Sequence, residues 1–183
     1  MTPTTTTAIT TATTRLVTLD DAPALAHLLR IHRDFLAPWQ PVRPDEYFTD
    51  AGQRAVLEAV LHEHRDGVTL PHVILVSGKV VGRVTLSGIA RGPFLSARLG
   101  YWVAPTHGGR GVATTAVGDI ARVAFEELGL HRLEAGTLLH NVPSQRVLER
   151  NGFVRFGIAQ KFTKIAGEWQ DHALYQLLAP SAP

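Results

Sequence analysis

The sequence contains no cysteine among its 183 residues. This absence excludes a disulfide framework, a thiolate zinc site and covalent catalysis through a cysteine. The chain also lacks the run of about 20 apolar residues that a membrane-spanning helix needs. Its first residues have neither the basic region nor the apolar region of a signal peptide. We therefore expect a cytoplasmic protein with no membrane partner.

Neither charge nor histidine content indicates a nucleic-acid or metal function. The 18 lysines and arginines nearly balance the 16 aspartates and glutamates, so no electrostatic footprint for a phosphate backbone is present. The nine histidines include no HExxH motif and no spacing typical of two histidines with a carboxylate. His62 and His64 fall on a helix that we expect to be exposed. We predict no nucleic-acid partner and no metal.

Composition indicates one globular domain after a short tail. Residues 1–13 are dominated by threonine and have no periodicity, which predicts a disordered tail. The remainder, residues 14–180, has no internal repeat and no second boundary, and the chain is 45% hydrophobic. This predicts a single domain with a sizeable core.

Periodicity predicts helices at both ends of a β-rich middle. A strand is expected at Arg15 to Leu19, followed by a helix that Asp20 or Asp21 caps. A proline-rich and aromatic connection follows it. Alternating residues with glycine turns predict antiparallel hairpins between about 72 and 103. Further elements are expected at about 50–64, 112–128 and 143–150 (helices) and 131–139, 153–162 and 169–178 (strands).

A glycine turn joins the strand that ends at Val103 to the helix that follows. Glycines allow a close backbone approach, and the first N–H groups of a helix lack intrahelical acceptors, so this junction suits a phosphate group. The turn lacks the Gly-Lys-Ser/Thr ending of a nucleotide triphosphate loop and the full spacing of a dinucleotide motif. A plain tight turn is the alternative interpretation.

The same junction resembles the pyrophosphate loop of the GNAT superfamily of acyl-CoA N-acyltransferases, with Gly108 where the family has Gln or Arg. Four other segments resemble its RimJ/RimL-type ribosomal-protein alanine N-acetyltransferase branch, and the resemblance covers about residues 15–179. These segments are FLAPWQPVRP, LGYWVAP, HRLEAGTLLHNVPSQRVLERNGF and EWQDHALYQLL. The resemblance implies an α+β fold, in which helices flank a central mixed, mostly antiparallel sheet and splayed strands hold coenzyme A.

The resemblance also implies acetyl-CoA as cosubstrate and a set of residues that bind it. Pantetheine is expected along the main chain of a bulged strand at 100–103, where an N–H near Val103 would polarise the thioester carbonyl. The pyrophosphate is expected on the backbone N–H groups of the glycine turn. The implied cofactor-binding residues are Tyr101, Trp102, Val103, Gly108, Gly109, Arg110, Gly111, Val112, Ala113, Asn141 and Ser144.

Asn141 and Ser144 are the implied catalytic residues. Many family members place a tyrosine in the short helix near the departing thiolate, but this chain has Leu148 at that position. In the RimJ/RimL-type branch a serine three residues after an asparagine takes that role, and Asn141 and Ser144 match this spacing. A helix-capping pair around Pro143 is the alternative interpretation.

The base that deprotonates the amine is less defined. Some members of the branch have a glutamate where this chain has Thr163, so that role does not carry over. Glu134, Asp171 and His172 are substitutes, and a water chain would also suffice.

The resemblance implies direct transfer to a primary amine, with the α-amine of a ribosomal protein as the first candidate acceptor. A small-molecule amine or antibiotic is the first alternative, because acceptor specificity lies in variable loops. A non-catalytic acyl-CoA sensor is the second. The sequence leaves the oligomeric state open, with a homodimer among the options.

Overall fold

A mixed sheet of seven strands forms the centre of the protein in a computed structural model that describes residues 12–180. The strands lie side by side in the order β1-β2-β3-β4-β5-β7-β6. Their bounds are β1 Ala12–Leu16, β2 Thr69–Val76, β3 Lys79–Ala90, β4 Ser96–Val103, β5 Arg132–Leu138, β6 Val154–Ile165 and β7 Glu168–Leu178. All neighbours are antiparallel except β4 and β5. The predicted α+β fold class is confirmed.

Helices cover both faces of this sheet. Their bounds are α1 Ala22–Ile31, α2 Arg33–Leu36, α3 Asp50–Arg65, α4 Val112–Arg122 and α5 Val142–Arg150. The predicted helix at 112–128 is regular only to Arg122, because a π-helical turn follows at Val123–Glu127. The proline-rich connection contains short 3-10 turns at Ala37–Trp39 and Asp45–Phe48. No helix within residues 12–180 has the length and apolar character needed to cross a membrane.

The first strand begins earlier than expected. It starts at Ala12, which is 2% exposed and pairs with Val76 of β2, and it ends before Leu19. Asp21 explains the early end, because its carboxylate accepts hydrogen bonds from Arg15 and from the N–H of Thr18, which turns the chain there. The expected tail of residues 1–13 lies outside the described residues except for its last two, which belong to β1. The single-domain boundary stays a prediction.

The parallel strands β4 and β5 separate after a short contact. Only Ser96–Arg98 pairs with Arg132–Glu134, whereas β4 continues to Val103 and β5 to Leu138. The expected splay between two parallel strands is therefore present. The expected bulge at 100–103 is wrong, because this stretch pairs with β3 in regular register and the irregularity in that ladder falls between Ser87 and Ala90.

The sheet buries side chains on two faces, which we call the α4/α5 face and the α1/α3 face. Leu148 of α5 belongs to the core on the first face, and Leu25 of α1 and Leu57 of α3 form the core on the second. Successive side chains of a strand point to opposite faces. Accordingly, Tyr101 packs into the α4/α5 core and its neighbour Trp102 packs into the α1/α3 core.

Candidate active site

A cleft of about 380 Å³ opens where β4 and β5 diverge. Its walls come from β4, β5, α5, β6 and β7 and from the segment around Trp39. Of the residues that the sequence assigned to cofactor binding or catalysis, Tyr101, Trp102, Asn141 and Ser144 line this cleft. Val103 and residues 108–113 do not line it, since they lie past its edge, where the end of β4 leads into α4.

The backbone of β4 presents donors to the opening. The N–H of Ala104 donates a hydrogen bond to the carbonyl oxygen of Val81 in β3 over 2.8 Å. In an antiparallel pair, every second residue of a strand forms its backbone hydrogen bonds with the same neighbouring strand. The N–H groups of Tyr101 and Val103 therefore point away from β3, toward the side on which β5 has departed. Gly82 allows the close approach of β3, because a Cβ there would lie 2.2 Å from Trp102 O.

The side-chain hydroxyls of Tyr101 and Ser144 meet at the cleft. The Tyr101 Oη lies 2.9 Å from Ser144 Oγ and 3.1 Å from the Ser144 carbonyl oxygen. Burial raises the pKa of Tyr101 to about 12, against the opposing effect of the hydrogen bond with Ser144. The phenol is therefore protonated at neutral pH, and its single proton can be donated to the Ser144 carbonyl oxygen or to Ser144 Oγ.

Asn141 holds Ser144 in place by capping α5. Its Oδ1 accepts a hydrogen bond from the backbone N–H of Ser144 over 3.1 Å, so the side chain that caps the helix is Asn141. Ser144 contributes only its backbone to the cap, and its hydroxyl is directed to Tyr101. Leu148, one turn later, is 1% exposed and belongs to the core.

The glycine turn has the conformation expected for an anion site, with one difference. Gly109 and Gly111 have φ values of 69° and 80°, and Gly111 is the N-cap residue of α4. The N–H groups of Val112 and Ala113 follow in the first turn, where a helix offers no acceptor. The N–H of Gly108, which we expected to face the ligand, instead donates to Pro105 O over 3.0 Å.

The candidate bases occupy different surroundings. Glu134 lines the cleft, and its Oε1 accepts a hydrogen bond from Arg132 Nε over 2.8 Å. Asp171 does not line the cleft, and its carboxylate accepts a hydrogen bond from the backbone N–H of Lys161. His172 lines the cleft and is 6% exposed. Thr163 also lines it.

The aromatic residues of the early connection divide between core and cleft. Phe48 is buried with Leu29 and Leu36, whereas Trp39 lines the cleft and contacts the His140 ring at 5.4 Å between centroids. Phe35 is 51% exposed. Trp39 therefore forms part of the wall of the cleft. Among residues 12–180, no three histidine or acidic side chains are arranged to hold a metal ion.

Sequence reasoning missed the side-chain role of Tyr101, to which it assigned only backbone contacts. The signal was the alternation of β4, which places Tyr101 on the same face as the buried Leu99. That face is covered by α4 and α5, so alternation and the predicted helix around Ser144 together point to this contact.

Comparison with families and curated relatives places the chain among acetyltransferases. The acetyltransferase (GNAT) domain model matches residues 13–154. A probable N-acetyltransferase of Bacillus subtilis, YjcK, is 37% identical over 168 residues, covering 91% of this chain and 93% of the relative. The ribosomal protein uS5-alanine N-acetyltransferase of Escherichia coli is 31% identical, covering 91% of this chain and 87% of the relative.

Two solved structures resemble the whole described fold. RimJ of Mycobacterium smegmatis in complex with CoA-disulfide has a TM-score of 0.90 at 31% identity, covering 94% of this chain and 84% of that chain. The ribosomal-protein-S5-alanine acetyltransferase of Vibrio fischeri has a TM-score of 0.88, also at 31% identity, covering 94% of this chain and 96% of that chain.

Proposed function

The chain belongs to the GNAT acetyltransferase family and is an acetyl-CoA-dependent N-acetyltransferase, and from this premise we propose that it acetylates the α-amine at a protein amino terminus. The observation that carries the proposal is the hydroxyl pair of Tyr101 and Ser144 at the opening between β4 and β5. It supplies a donor for a departing thiolate beside the backbone that would bind the acetyl donor.

The acetyl donor would be bound mainly by backbone groups of the protein. Pantetheine would lie along β4 in the gap that β5 leaves, with the thioester carbonyl near the N–H of Val103. The pyrophosphate would contact the first N–H groups of α4 after Gly111, where the helix dipole also favours negative charge. Arg110, exposed in the turn, adds a positive charge next to that position.

The reaction would be direct, as the family resemblance implies, and the chain has no cysteine to carry an acyl group. The amine nitrogen attacks the thioester carbon, the N–C bond forms, and the C–S bond breaks with its electron pair on sulfur. Ser144 Oγ–H donates a hydrogen bond to that thiolate while Tyr101 donates to Ser144 Oγ. The hydroxyl pair stabilises negative charge as it develops, and it therefore acts mainly in the transition state.

The openness of the acceptor side supports a peptide rather than an enclosed small molecule. Phe156 and Phe162 line the cleft while retaining 46% and 44% of their exposure. Small-molecule sites bury most of their ligand, whereas a groove with exposed aromatic walls suits the end of a chain. The E. coli relative is named for acetylating an alanine of ribosomal protein uS5, and an alanine terminus is the first acceptor to test.

An acceptor screen tests this proposal. Peptides with free Ala or Ser termini, the same peptides blocked at the terminus but containing lysine, and a panel of small amines would each be mixed with acetyl-CoA. We expect thiol release and a mass increase of one acetyl group only for the free termini. Acetylation of small amines alone would favour the small-molecule alternative, and acetylation of internal lysines alone would contradict the α-amine assignment.

A further inference from the structure

We propose that His172 takes the proton from the bound acceptor ammonium, an inference that rests on the proposed function. The sequence left three side chains and water as alternatives for this role, and the contacts of these side chains separate them. The amine must be neutral to attack, and an α-amine has a pKa of about 7.7–8.0, so most of it is protonated at pH 7. A proton acceptor beside it would raise the reactive fraction.

The two sides of the cleft place His172 opposite the hydroxyl pair. Ala173 and Tyr175 of β7 belong to the core on the α4/α5 face, and the Tyr175 hydroxyl lies near Gln145 and Glu149 of α5. Side chains alternate along a strand, so His172 points to the other face of the sheet. An amine approaching from that face would meet the thioester between His172 and Ser144.

Hydrogen bonding fixes which nitrogen of His172 carries the proton. Nδ1 lies 3.0 Å from the carbonyl oxygen of Gln170, and a carbonyl only accepts, so Nδ1 is the donor. In the neutral ring Nε2 then has a free lone pair, and it has no hydrogen-bond partner within the described part of the chain. A hydrogen bond at the other ring nitrogen, like that of Nδ1 here, orients the ring and sets the tautomer. It is typical of a histidine that works as a base.

Space for an amine exists beside this nitrogen. Cδ2, the ring carbon bonded to Nε2, lies 3.6 Å from the position that a Cβ at Gly136 would occupy. Gly136 also lines the cleft, and its lack of a side chain leaves that position empty. The Phe162 ring packs at 5.5 Å from the imidazole, and its Cε1 lies 3.6 Å from the same position beside Gly136.

The other two candidates are engaged elsewhere. Glu134 forms an ion pair with Arg132 at 2.8 Å, so its Oε1 is already engaged by a guanidinium. Asp171 caps the backbone at Lys161 and alternates to the face away from His172. The charged side chains that line the cleft with the imidazole are Arg98 of β4 and Glu134 of β5, and Glu134 is paired with Arg132.

The protons balance in this scheme. Nε2 takes one proton from the ammonium and later releases it to solvent, and the neutral amine forms the N–C bond as the C–S bond breaks. The nitrogen loses a second proton when the amide forms, and the sulfur gains one when coenzyme A leaves as a thiol. One proton is released to solvent for each acetyl group transferred.

The test compares two acceptor peptides in His172→Gln. One peptide has a free Ala terminus and the other has the same sequence with an aminooxy terminus, which is already neutral at pH 7. We expect kcat/KM for the first to fall about sixfold to tenfold at pH 7, which is the largest gain that deprotonating an α-amine of pKa about 7.7–8.0 can give, with coenzyme A affinity unchanged by calorimetry. The loss should shrink as the pH rises past 8, and it should be nearly absent for the aminooxy peptide at any pH.

Two further variants make the result decisive. Glu134→Gln, which keeps an acceptor for Arg132, should not reproduce the pH-dependent difference between the two peptides, and His172→Asn should reproduce it if the glutamine variant folds poorly. An equal loss for both peptides, or a loss in Glu134→Gln instead, overturns the role of His172. A wild-type protein that acetylates neither peptide contradicts the proposed function itself, and the two failures are thereby distinguished.

Discussion

The phenolic oxygen of Tyr101 lies 2.9 Å from the hydroxyl oxygen of Ser144, although the two residues are 43 positions apart in the chain. Tyr101 comes from β4 and Ser144 from the first turn of α5, so the contact joins the strand expected to bind the acetyl donor to the helix expected to stabilise the leaving group. This pair supplies the hydrogen-bond donor that the apolar side chain of Leu148 lacks.

Ser144→Ala tests the hydroxyl directly. We expect kcat to fall roughly tenfold to a thousandfold, since the hydroxyl acts on the thiolate that forms in the transition state. Coenzyme A affinity and thermal stability should change little, because Asn141 caps α5 through the backbone of Ser144 and that bond survives the substitution. Steady-state kinetics, calorimetry and a melting curve give the three values.

Asn141→Ala is the matched control for that experiment. It removes the cap and should lower the free energy of unfolding by about 1 kcal/mol. Normal turnover in Ser144→Ala, together with a loss of stability as large as that of Asn141→Ala, would show that the serine is structural.

Tyr101→Phe removes the partner of Ser144 while keeping the ring in the core. We expect turnover to fall about tenfold, because Ser144 Oγ loses its hydrogen-bond partner. In a Ser144→Ala background the same change should cost almost nothing, since two groups that act through one contact are not additive. Kinetics on the two single variants and the double variant measure this coupling, and full additivity would contradict the pairing.

Gly111→Ala tests the anion site at the start of α4. At a φ of 80° any side chain is strained by about 1–2 kcal/mol, and a methyl group would also hinder the close approach of a pyrophosphate. Gly92→Ala is the control, because Gly92 has a φ of 67° and, like Gly111, has nothing within 4 Å of the position that a Cβ would occupy. Both variants should lose similar stability, but only Gly111→Ala should weaken coenzyme A binding by calorimetry; equal affinities would exclude the site.

The surroundings of His72 lead us to expect that the free energy of unfolding falls in acid. Burial, with a smaller effect of His64, lowers the pKa of His72 from the ordinary value of 6.5 to about 4. The unfolded chain therefore binds a proton at a higher pH than the folded protein does. The free energy of unfolding should fall as the pH drops from 6.5 to 4, with no further contribution from this group below that range.

Urea unfolding at several pH values measures this effect. His72→Gln, which can keep a hydrogen bond with Thr14, should flatten the decline between pH 6.5 and 4. His27→Gln, on the exposed side of α1, should leave it unchanged. An unaltered slope in His72→Gln would assign the acid sensitivity to other groups.

Much of the fold was predictable because its signals are local. Alternation identified the β2–β4 hairpins, and the helix expected at about 50–64 matches α3 to within a residue or two. The glycine turn before α4 was recognised from its glycines, because glycine tolerates a positive φ. Gly109 and Gly111 do adopt a positive φ. The start of β1 was missed, because the threonine-rich stretch around Ala12 has no strand periodicity. The burial of Ala12 depends instead on its pairing with Val76 of β2.

The sequence by itself determined the hairpins, the helix starts, the glycine turn and the family resemblance, since each depends on residues within a few positions of one another or on a linear motif. Only the tertiary structure decided which hydroxyl meets Ser144, how far β4 and β5 stay paired and which nitrogen of His172 is free. Those facts depend on side chains that approach from different strands and helices, and a one-dimensional pattern does not specify the distance between them.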